Sequence, residues 1–267
     1  MELRCPICVE ELSREGKTWR CGNGHSFDVA RQGYVNLLPV QHKHSRQPGD
    51  TREQVLSRRA FLESGAYLPI VEAVCGAAKT YAVGPVLDVG CGEGYYATKA
   101  AACLETELIG LDISKEAVRC AAGKYKNATW VCGTAAHLPI ADGSVGLVMS
   151  MFALTMPEEF RRVLKDKGIF IQVLAAQDHL LGLKSIIYPE VFQQEKNTVP
   201  EVPGFTLLES VPVRFPFVAE GEQVQNLLSM TPHFWRISAQ GAQRLRETQR
   251  LEDVASCVVN VFQKACP

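Results

Sequence analysis

The stretch that decides the fold is a short apolar run followed by alternating glycines: Val86-Leu87-Asp88-Val89-Gly90-Cys91-Gly92-Glu93-Gly94. Its first four residues predict a buried strand, and the residues after Gly94 predict a helix. Glycines at alternate positions let the backbone turn tightly and let a ligand lie against bare peptide groups. The stretch therefore predicts a strand–loop–helix unit with a ligand site at the carboxyl end of the strand.

Strands and helices alternate on the carboxyl-terminal side of this stretch. Further buried strands are predicted at 108–112, 129–132, 145–149 and 169–174. Helices are predicted at 95–103, 115–124 and 157–165. This alternation is typical of an α/β fold with a doubly wound parallel sheet. The tail adds predicted strands at 205–213 and 254–262, with a long insertion between them.

Asp112 ends the second predicted strand, 22 residues after Gly90. A carboxylate at that place can accept hydrogen bonds from both hydroxyls of a ribose. The loop reads G-x-G-x-G, one residue shorter than the G-x-G-x-x-G of dinucleotide-binding loops. Loop, strand and distal acid together resemble the first motif of class I S-adenosylmethionine-dependent methyltransferases, whose cofactor has no pyrophosphate. A nicotinamide-cofactor domain and a degenerate domain that binds nothing are the alternatives.

Three cysteines and a histidine near the amino terminus form two chelating pairs, Cys5 with Cys8 and Cys21 with His25, separated by twelve residues. Two such pairs on tight turns can close a tetrahedron around zinc. All four ligands then come from the protein, so the site is structural, and metal binding supplies much of the folding energy of so short a segment. A redox Cys-x-x-Cys is the weaker alternative, because it leaves Cys21 and His25 unexplained.

The composition is that of an ordinary globular protein, with 267 residues, 46% hydrophobic and 21% charged, and a net charge of −1. No apolar run approaches the roughly 18–20 residues that span a bilayer, and the first residues lack the apolar core of a signal peptide. These features predict a cytoplasmic protein. Seven scattered cysteines are interpreted as buried side chains: Cys75, Cys91, Cys103, Cys120, Cys132, Cys257 and Cys266.

Three segments are predicted: a zinc-binding module at 1–34, a basic linker with helices at 35–84, and a cofactor-binding domain at 85–267. Between 31 and 59 six cations outnumber two acids, which gives a net charge of +4. The cations are Arg31, Lys43, Arg46, Arg52, Arg58 and Arg59, and His42 and His44 lie among them. Such a stretch can follow the phosphates of a nucleic acid. A solvated linker without a ligand is the alternative.

Zinc module, linker and α/β domain together resemble the bacterial 23S ribosomal RNA guanine-N1 methyltransferase family over essentially the whole chain. The stretch from Gly33 to Lys43 is far more specific than the glycine loop. The other matching stretches are Cys5–Cys8, Cys21 with His25, Pro48–Asp50, Arg58–Leu62, Asp88–Tyr96, Met230–Pro232 and Trp235 with Arg236. The resemblance implies a class I, Rossmann-like methyltransferase sheet with a small N-terminal zinc-binding module.

The resemblance implies transfer of a methyl group from S-adenosylmethionine to N1 of a guanine in a hairpin of 23S rRNA domain II. The 745-type guanine is expected, and the 748-type guanine is left open. A ribosomal RNA hairpin is the expected partner, rather than DNA or a membrane, and a homodimer is left open. Two alternatives remain: a methyltransferase for a small molecule, and a non-catalytic zinc-dependent RNA-binding factor.

The resemblance also assigns site residues. The expected zinc ligands are Cys5, Cys8, Cys21 and His25. The expected cofactor-binding residues, including those of the loop itself, are Tyr67, Asp88, Gly90, Gly92, Glu93, Gly94, Asp112 and His179. Two positions depart from related methyltransferases: Thr134 replaces an acid after Gly133, and Leu154 replaces the proline of an aromatic-Ala-Pro turn that the family often has.

Methylation of N1 places demands on the substrate. N1 lies on the pairing face of guanine and carries a proton, so the base must be unpaired or flipped and the proton must leave. Phe152, Phe234 and Trp235 are candidates to stack the exposed base, with packing in the core as the alternative for each. His179 could take a proton, but the resemblance makes it a cofactor contact first. No general base is assigned.

Overall fold

The computed structural model describes residues 2–42, 45, 47–191 and 195–265, so Lys43, His44, Arg46 and Cys266 lie outside the described residues. Four short strands near the amino terminus form an antiparallel sheet in the order β1-β2-β3-β4. They are β1 (Leu3–Arg4), β2 (Glu11–Glu15), β3 (Thr18–Cys21) and β4 (Ser26–Asp28). The sequence shows little strand periodicity here because strands of two to five residues are too short to display an alternation.

Eight strands form the main sheet, in the order β11-β12-β10-β9-β6-β7-β8-β5. They are β5 (Tyr34–Asn36), β6 (Val86–Val89), β7 (Leu108–Asp112), β8 (Thr129–Cys132), β9 (Val145–Met151), β10 (Leu164–Ala175), β11 (Phe205–Glu220) and β12 (Arg250–Lys264). Strands β5 to β10 are parallel to their neighbours in this set. The expected Rossmann-like sheet with a small N-terminal module is confirmed.

The tail strands, for which the sequence predicts no direction, make one edge of the sheet antiparallel. Strand β12 is antiparallel to both β10 and β11, and it pairs with β11 from Lys264 opposite Phe205 to Arg250 opposite Glu220. Both strands are longer than predicted. Two prolines, Pro212 and Pro216, lie inside β11. An edge strand tolerates proline, whereas sequence patterns treat proline as a strand end.

Eight α-helices connect the strands. They are α1 (Arg52–Glu63), α2 (Leu68–Tyr81), α3 (Tyr95–Leu104), α4 (Lys115–Lys124), α5 (Pro157–Val163), α6 (Leu181–Ile187), α7 (Glu222–Ser229) and α8 (Ala239–Glu247) within the described residues. Helix α1 begins with a capping box, in which the Thr51 hydroxyl accepts from the Gln54 amide and the Gln54 side chain accepts from the Thr51 amide. Among helices in the described ranges, none has both the length and the apolarity needed to cross a bilayer.

The small sheet docks on the main sheet through backbone and core contacts. The Arg4 amide donates to the Pro139 carbonyl at 2.9 Å, and the Ala141 amide donates to the Glu2 carbonyl at 3.0 Å. Leu3 forms an antiparallel bridge with Ile140 and packs in the same buried cluster as residues of the main sheet. Because the module's apolar side chains are covered by the main sheet, the two sheets share a core.

The scattered cysteines are only partly as interpreted. Cys91, Cys132 and Cys257 are buried. The remaining described ones are half-buried, which corrects the expectation of full burial: Cys75, Cys103 and Cys120. None of these six described cysteines forms a disulfide bond.

Trp130, on β8, packs closely against the glycine loop at Gly94 and against β7 at Gly110. A Cβ atom on Gly94 would lie 2.6 Å from the indole, and a Cβ atom on Gly110 would lie 2.2 Å from it. Real side chains do not approach so closely, so these two glycines are required by the packing of Trp130. Gly94 also has φ of 87° and begins α3, which a residue with a side chain would resist.

We predict that Gly110→Ala lowers the free energy of unfolding by about 1–3 kcal/mol, because the added methyl group would overpack against the Trp130 ring. Gly76→Ala is the matched control. Gly76 is exposed within α2 with open space around its Cα, so this change stabilises by about 0.5–1 kcal/mol. Thermal or denaturant unfolding of both variants checks the prediction. Equal stability of Gly110→Ala and wild type would contradict it.

Candidate active site and zinc centre

A cavity of about 550 Å³ opens above the carboxyl ends of β6, β7 and β8 and is called here the loop cavity. The glycine loop forms one wall. Gly90 has φ of 78°, and a Cβ atom there would lie 2.8 Å from the Ala153 methyl. Residues from the loop and the facing segments line it: Asp88, Gly90, Gly92, Glu93, Asp112, Tyr67 and Gly133–Ala136. The cavity is at the place where doubly wound sheets bind ligands.

Asp112 joins the loop to the end of β7. Its carboxylate accepts from the Gly92 amide at 2.8 Å and from the Ser114 amide at 2.7 Å. Each carboxylate oxygen accepts one of these bonds and keeps capacity for a second. The carboxylate is therefore fixed by the backbone and can still accept two hydroxyl groups from a ligand in the cavity.

Asp88, on β6, is 1% exposed and lines the loop cavity. Its Oδ1 atom has no hydrogen-bond partner among the described residues. Burial, reinforced by the charge of Asp112, raises the pKa of Asp88 to about 8. A buried carboxyl oxygen without a partner fits a ligand that brings a positive charge or a hydrogen-bond donor. S-adenosylmethionine carries both a sulfonium and an ammonium group.

Glu93 follows the loop and is 2% exposed. Its Oε1 accepts from the Tyr95 amide at 3.2 Å, and its Oε2 lies 3.8 Å from Arg59 Nε. Burial raises the pKa of Glu93, and Arg59 opposes that shift. Gly94 does not line the cavity; it begins α3 and lies against Trp130.

Arg58 and Arg59 are not free linker cations. Arg58 lines the loop cavity and forms a 2.7 Å ion pair with Asp50. Arg59 donates to the Cys120 carbonyl at 2.8 Å and lies beside Glu93. Both arginines therefore adjoin the glycine loop, whereas the sequence places them only in the basic linker.

A second cavity of about 950 Å³ adjoins the first and is called here the cationic cavity. The two cavities share five wall residues: Arg58, Tyr67, Phe152, Ala153 and Met230. The cationic cavity is also lined by His179, Lys184, Lys196, His233 and Arg236, with Glu190 as the acid among its described lining residues. The two cavities are therefore adjacent and are separated by these shared residues.

His179 lines the cationic cavity rather than the loop cavity, although its Nε2 lies 3.5 Å from the hydroxyl group of Tyr67. Its Nδ1 accepts from the Ser256 amide at 3.1 Å. Burial, followed by the charges of Lys184 and Lys196, lowers the pKa of His179 to about 4. A neutral ring whose Nδ1 is an acceptor carries its proton on Nε2, so His179 presents a donor and not a base.

Phe152 separates the two cavities. It has φ of 55°, which is unusual for a residue with a bulky side chain, and its ring stacks on His179 at 6.0 Å. Backbone strain of this kind is concentrated at functional sites. Of the other aromatic candidates, Phe234 and Trp235 line neither cavity. Sequence reasoning missed Arg58, Lys184 and Lys196 as wall residues, because no local pattern marks them.

The four expected zinc ligands lie together, with their ligand atoms within 4.8 Å of one another. The Cys8 and Cys21 sulfur atoms are 3.7 Å apart, and His25 Nδ1 lies 3.4 Å from Cys21 Sγ and 3.5 Å from Cys5 Sγ. A tetrahedron with ordinary zinc–sulfur and zinc–nitrogen bonds has edges of about 3.8 and 3.6 Å. The donor set therefore fits zinc, with all four positions supplied by the protein.

Hydrogen bonding also prepares this site for a metal. The Asn23 side chain is the main cause that lowers the pKa of the Cys8 thiol to about 6, and backbone amides add to it. A thiolate is the form that binds zinc. Burial acts in the opposite direction on Cys5 and raises its pKa.

Comparison with known proteins supports both parts of the site. The family described as "RlmA, N-terminal", a zinc ribbon, matches residues 3–46, and the family "Methyltransferase domain" matches residues 86–168. A solved methyltransferase in complex with the Haloferax volcanii Trm112 activator has a TM-score of 0.51 at 19% identity, covering 82% of this chain and 100% of that chain. The fold and the glycine loop define the chain as a class I S-adenosylmethionine-dependent methyltransferase with a structural zinc ribbon.

Relatives that match nearly the whole chain identify the family within this class of methyltransferases. The "23S rRNA (guanine(748)-N(1))-methyltransferase" of Streptomyces fradiae is 33% identical over 99% of this chain and 97% of its own length. A Bacillus subtilis protein, YxjB, provisionally named a 23S rRNA (guanine-N(1)-)-methyltransferase, is 30% identical over 92% of this chain and 91% of its own length. Likeness at this level over the whole length means that the chain belongs to the 23S rRNA guanine-N1 methyltransferase family.

We predict that the wild-type protein contains roughly one zinc ion per chain and that Cys21→Ala loses most of it. Because the module shares a core with the main sheet, hydrogen exchange should increase in residues 138–141 as well as in the module. Cys103→Ala, which removes a half-buried thiol outside the cluster, is the control and keeps its zinc. Metal analysis of wild type far below one ion would refute the site.

The raised pKa of Asp88 predicts a pH-dependent cost to the stability of the cofactor-free protein. An unfolded aspartate ionises near pH 3.9, but Asp88 in the folded protein ionises near 8. Between these values the folded state binds more protons, so stability falls as pH rises through that window. Asp88→Asn should therefore stabilise more at pH 8 than at pH 5. Denaturant unfolding at the two pH values measures this, and an equal difference at both would contradict it.

Proposed function

We propose that this chain transfers a methyl group from S-adenosylmethionine to N1 of a guanine in 23S rRNA. The observation that carries the proposal is the pair of adjoining cavities, one built on the glycine loop and one lined by cations. A cation-lined cavity suits a nucleic-acid substrate. The two relatives that match over nearly the whole chain are named for 23S rRNA as substrate and for guanine N1 as the acceptor atom.

We assign the cofactor to the loop cavity. Asp112 would accept the two ribose hydroxyls, and Gly90 and Gly92 would let the cofactor lie against the backbone. Asp88 would face the positive charge of the methionyl part. S-adenosylmethionine, when bound, supplies the methyl group as an electrophile on a sulfonium.

The remaining assigned residues shape the loop cavity. Tyr67 forms a wall between the two cavities and lies beside His179. Glu93, paired with Arg59, would hold the loop at the start of α3. Gly94 would act through the close packing on Trp130. In this assignment His179 donates from Nε2 at the junction of the cavities.

We assign the target base to the cationic cavity, with Phe152 at its junction with the loop cavity. The base must leave its helix to reach a methyl group held in the loop cavity. Phe152 is 38% exposed and fixed by its neighbours, so its ring can stack on an inserted base. This arrangement brings the base and the methyl group together without a change of fold.

We propose that the chain works as three segments, a zinc-binding module at 1–34, a basic linker with helices at 35–84 and a methyltransferase domain at 85–267. Arg31 and Arg52 remain exposed cations of the linker and would contact RNA phosphates. We also propose that the protein acts in the cytoplasm, where it would bind ribosomal RNA. A homodimer remains a hypothesis for solution measurement.

Methyl transfer to RNA tests the function directly. Wild type incubated with tritiated S-adenosylmethionine should label 23S rRNA fragments, and label found in small metabolites but not in RNA would sink the proposal. Asp112→Ala should weaken cofactor binding by about 1.5–3 kcal/mol, because the ribose hydroxyls lose a charged acceptor. Calorimetry measures that loss, and Asp166→Ala, an exposed acid outside both cavities, is the control.

The position of the target guanine is the finer part of the proposal. We propose the 745-type guanine of the domain II hairpin, and the Streptomyces fradiae relative, which is named for guanine 748, supplies the alternative. Reverse transcription stops one nucleotide before an N1-methylated guanine, because the methyl group blocks pairing. The position of the stop on treated 23S rRNA therefore distinguishes the two.

A further inference from the structure

Guanine N1 cannot attack a methyl group while it carries its proton. Once the proton leaves, the negative charge is shared between N1 and the neighbouring O6 atom. A positive group held at O6 in a site of low dielectric would stabilise that anion far more than the same group in water. A cation in the cavity that receives the base would therefore favour the proposed reaction.

The cations of the cationic cavity are not equivalent. Arg58 is paired with Asp50 at 2.7 Å, so much of its charge is already balanced. Lys196 and Arg236 are exposed, and solvent screens their charges. The histidines do not contribute charge at neutral pH, because burial lowers the pKa values of both His179 and His233. Lys184 is the half-buried cation that remains.

Lys184 is held on α6 and has no carboxylate within ion-pair distance among the described residues. The two acids that act on it are used elsewhere. Asp253 accepts from the Gly182 and Leu183 amides at 2.9 and 2.7 Å, which fixes the start of α6. Asp178 pairs with Arg214 at 2.9 Å. The charge of Lys184 is therefore left for a ligand.

The surroundings of Lys184 also affect its acidity. Burial lowers the pKa of Lys184, Lys196 lowers it further, and Asp253 and Asp178 oppose the shift. The other titratable groups that line the cavity are Arg58, Tyr67, His179, Tyr188, Glu190, His233 and Arg236. The Tyr188 hydroxyl group and His233 Nδ1 form a hydrogen bond of 2.9 Å. A partly buried ammonium group is less well solvated by water, so it gains more from a hydrogen bond to an anionic oxygen.

We propose that Lys184 is a catalytic residue whose ammonium group binds O6 of the target guanine and stabilises the N1-deprotonated base. The inference rests on the proposed function of the two cavities. The N1 proton passes to water, and the electron pair left on N1 forms the bond to the methyl carbon. The electron pair of the broken carbon–sulfur bond stays on sulfur, so the anion and the sulfonium are neutralised together.

The alternative is that Lys184 binds an RNA phosphate. The pH dependence of the single-turnover rate distinguishes the two roles. A nearby positive charge lowers the pKa of an acid by about 1–3 units. Removal of that charge in Lys184→Met should therefore move the pH of half-maximal single-turnover rate upward by about 1 unit or more. At neutral pH this shift lowers the single-turnover rate of Lys184→Met at least tenfold relative to wild type, and the difference between the two rates becomes smaller as pH rises. Lys184→Arg keeps the charge and should restore most of the rate and the original profile.

The experiment measures single-turnover methyl transfer to a 23S rRNA hairpin at saturating RNA, from pH 6 to 9.5. Lys79→Met, an exposed position on α2 outside both cavities, is the charge-matched control and keeps the wild-type profile. Calorimetry with S-adenosylmethionine shows that Lys184→Met is folded, because Lys184 does not line the loop cavity. A tenfold loss with the upward pH shift supports the proposal.

Three results overturn it, and they are distinguishable. If wild type methylates RNA but Lys184→Met has an unshifted pH profile and only weaker, less salt-dependent RNA binding, Lys184 is a phosphate contact and the inference fails alone. If wild type binds S-adenosylmethionine but methylates no RNA, the proposed function fails and the inference fails with it. A Lys184→Met protein that neither binds cofactor nor methylates RNA, with Lys184→Arg equally inactive, also counts against a role for the charge.

Discussion

The hydrogen bond from the Gly92 amide to the Asp112 carboxylate is the contact on which the site depends. It ties the loop after β6 to the end of β7, and the Gly90 and Cys91 amides add bonds to the Leu111 carbonyl at 2.8 and 3.0 Å. The same carboxylate accepts a hydrogen bond from the Ser114 amide. The side-chain hydroxyl group of Ser114 in turn donates to the Asp50 carbonyl at 2.6 Å. One acid thus orders the loop, the start of α4 and the segment before α1, so its position is set before any ligand arrives.

The zinc module depends on the main sheet as much as on its metal. Four strands of two to five residues bury too little apolar surface to fold alone, and Leu3, Cys5 and Leu12 are buried in a cluster that continues into the main sheet. The segment after β8 passes from the loop cavity, at Gly133–Ala136, to the docking contact at Pro139 and Ile140. The zinc module and the cofactor site are therefore joined by one short stretch of backbone.

The sequence predicts the parts of the fold that local patterns encode. The strand before Gly90, the loop and the strand that ends at Asp112 are found where apolar runs and glycines indicate them. The chelating cysteine spacing likewise predicts the donor set, because the four ligands lie on two short turns. The antiparallel direction of β12 and the length of β11 were not predictable. Proline is compatible with an edge strand, but the sequence does not show which strand lies at the edge of the sheet.

Residues brought together from distant parts of the chain were the least predictable. Arg58 and Arg59 look in sequence like members of a solvated basic linker, yet α1 packs them against the glycine loop. Lys184 and Lys196 carry no motif at all, and they become neighbours through the fold of α6 and the segment that follows it. A charge count along the sequence measures what a segment carries, whereas ion pairing in the fold decides which charges remain for a ligand.

The two cavities differ in charge as the proposed transfer from a sulfonium to a guanine anion would require. The carboxyl groups of Asp50, Asp88, Glu93 and Asp112 line the loop cavity, whereas Lys184, Lys196 and Arg236 line the adjoining one. A cation is favoured on one side and an anion on the other, with Phe152 and Ala153 between them. In the proposed reaction the positive charge on sulfur and the negative charge on the base are neutralised together, so the attraction between each cavity and the charge of its reactant is used only until transfer.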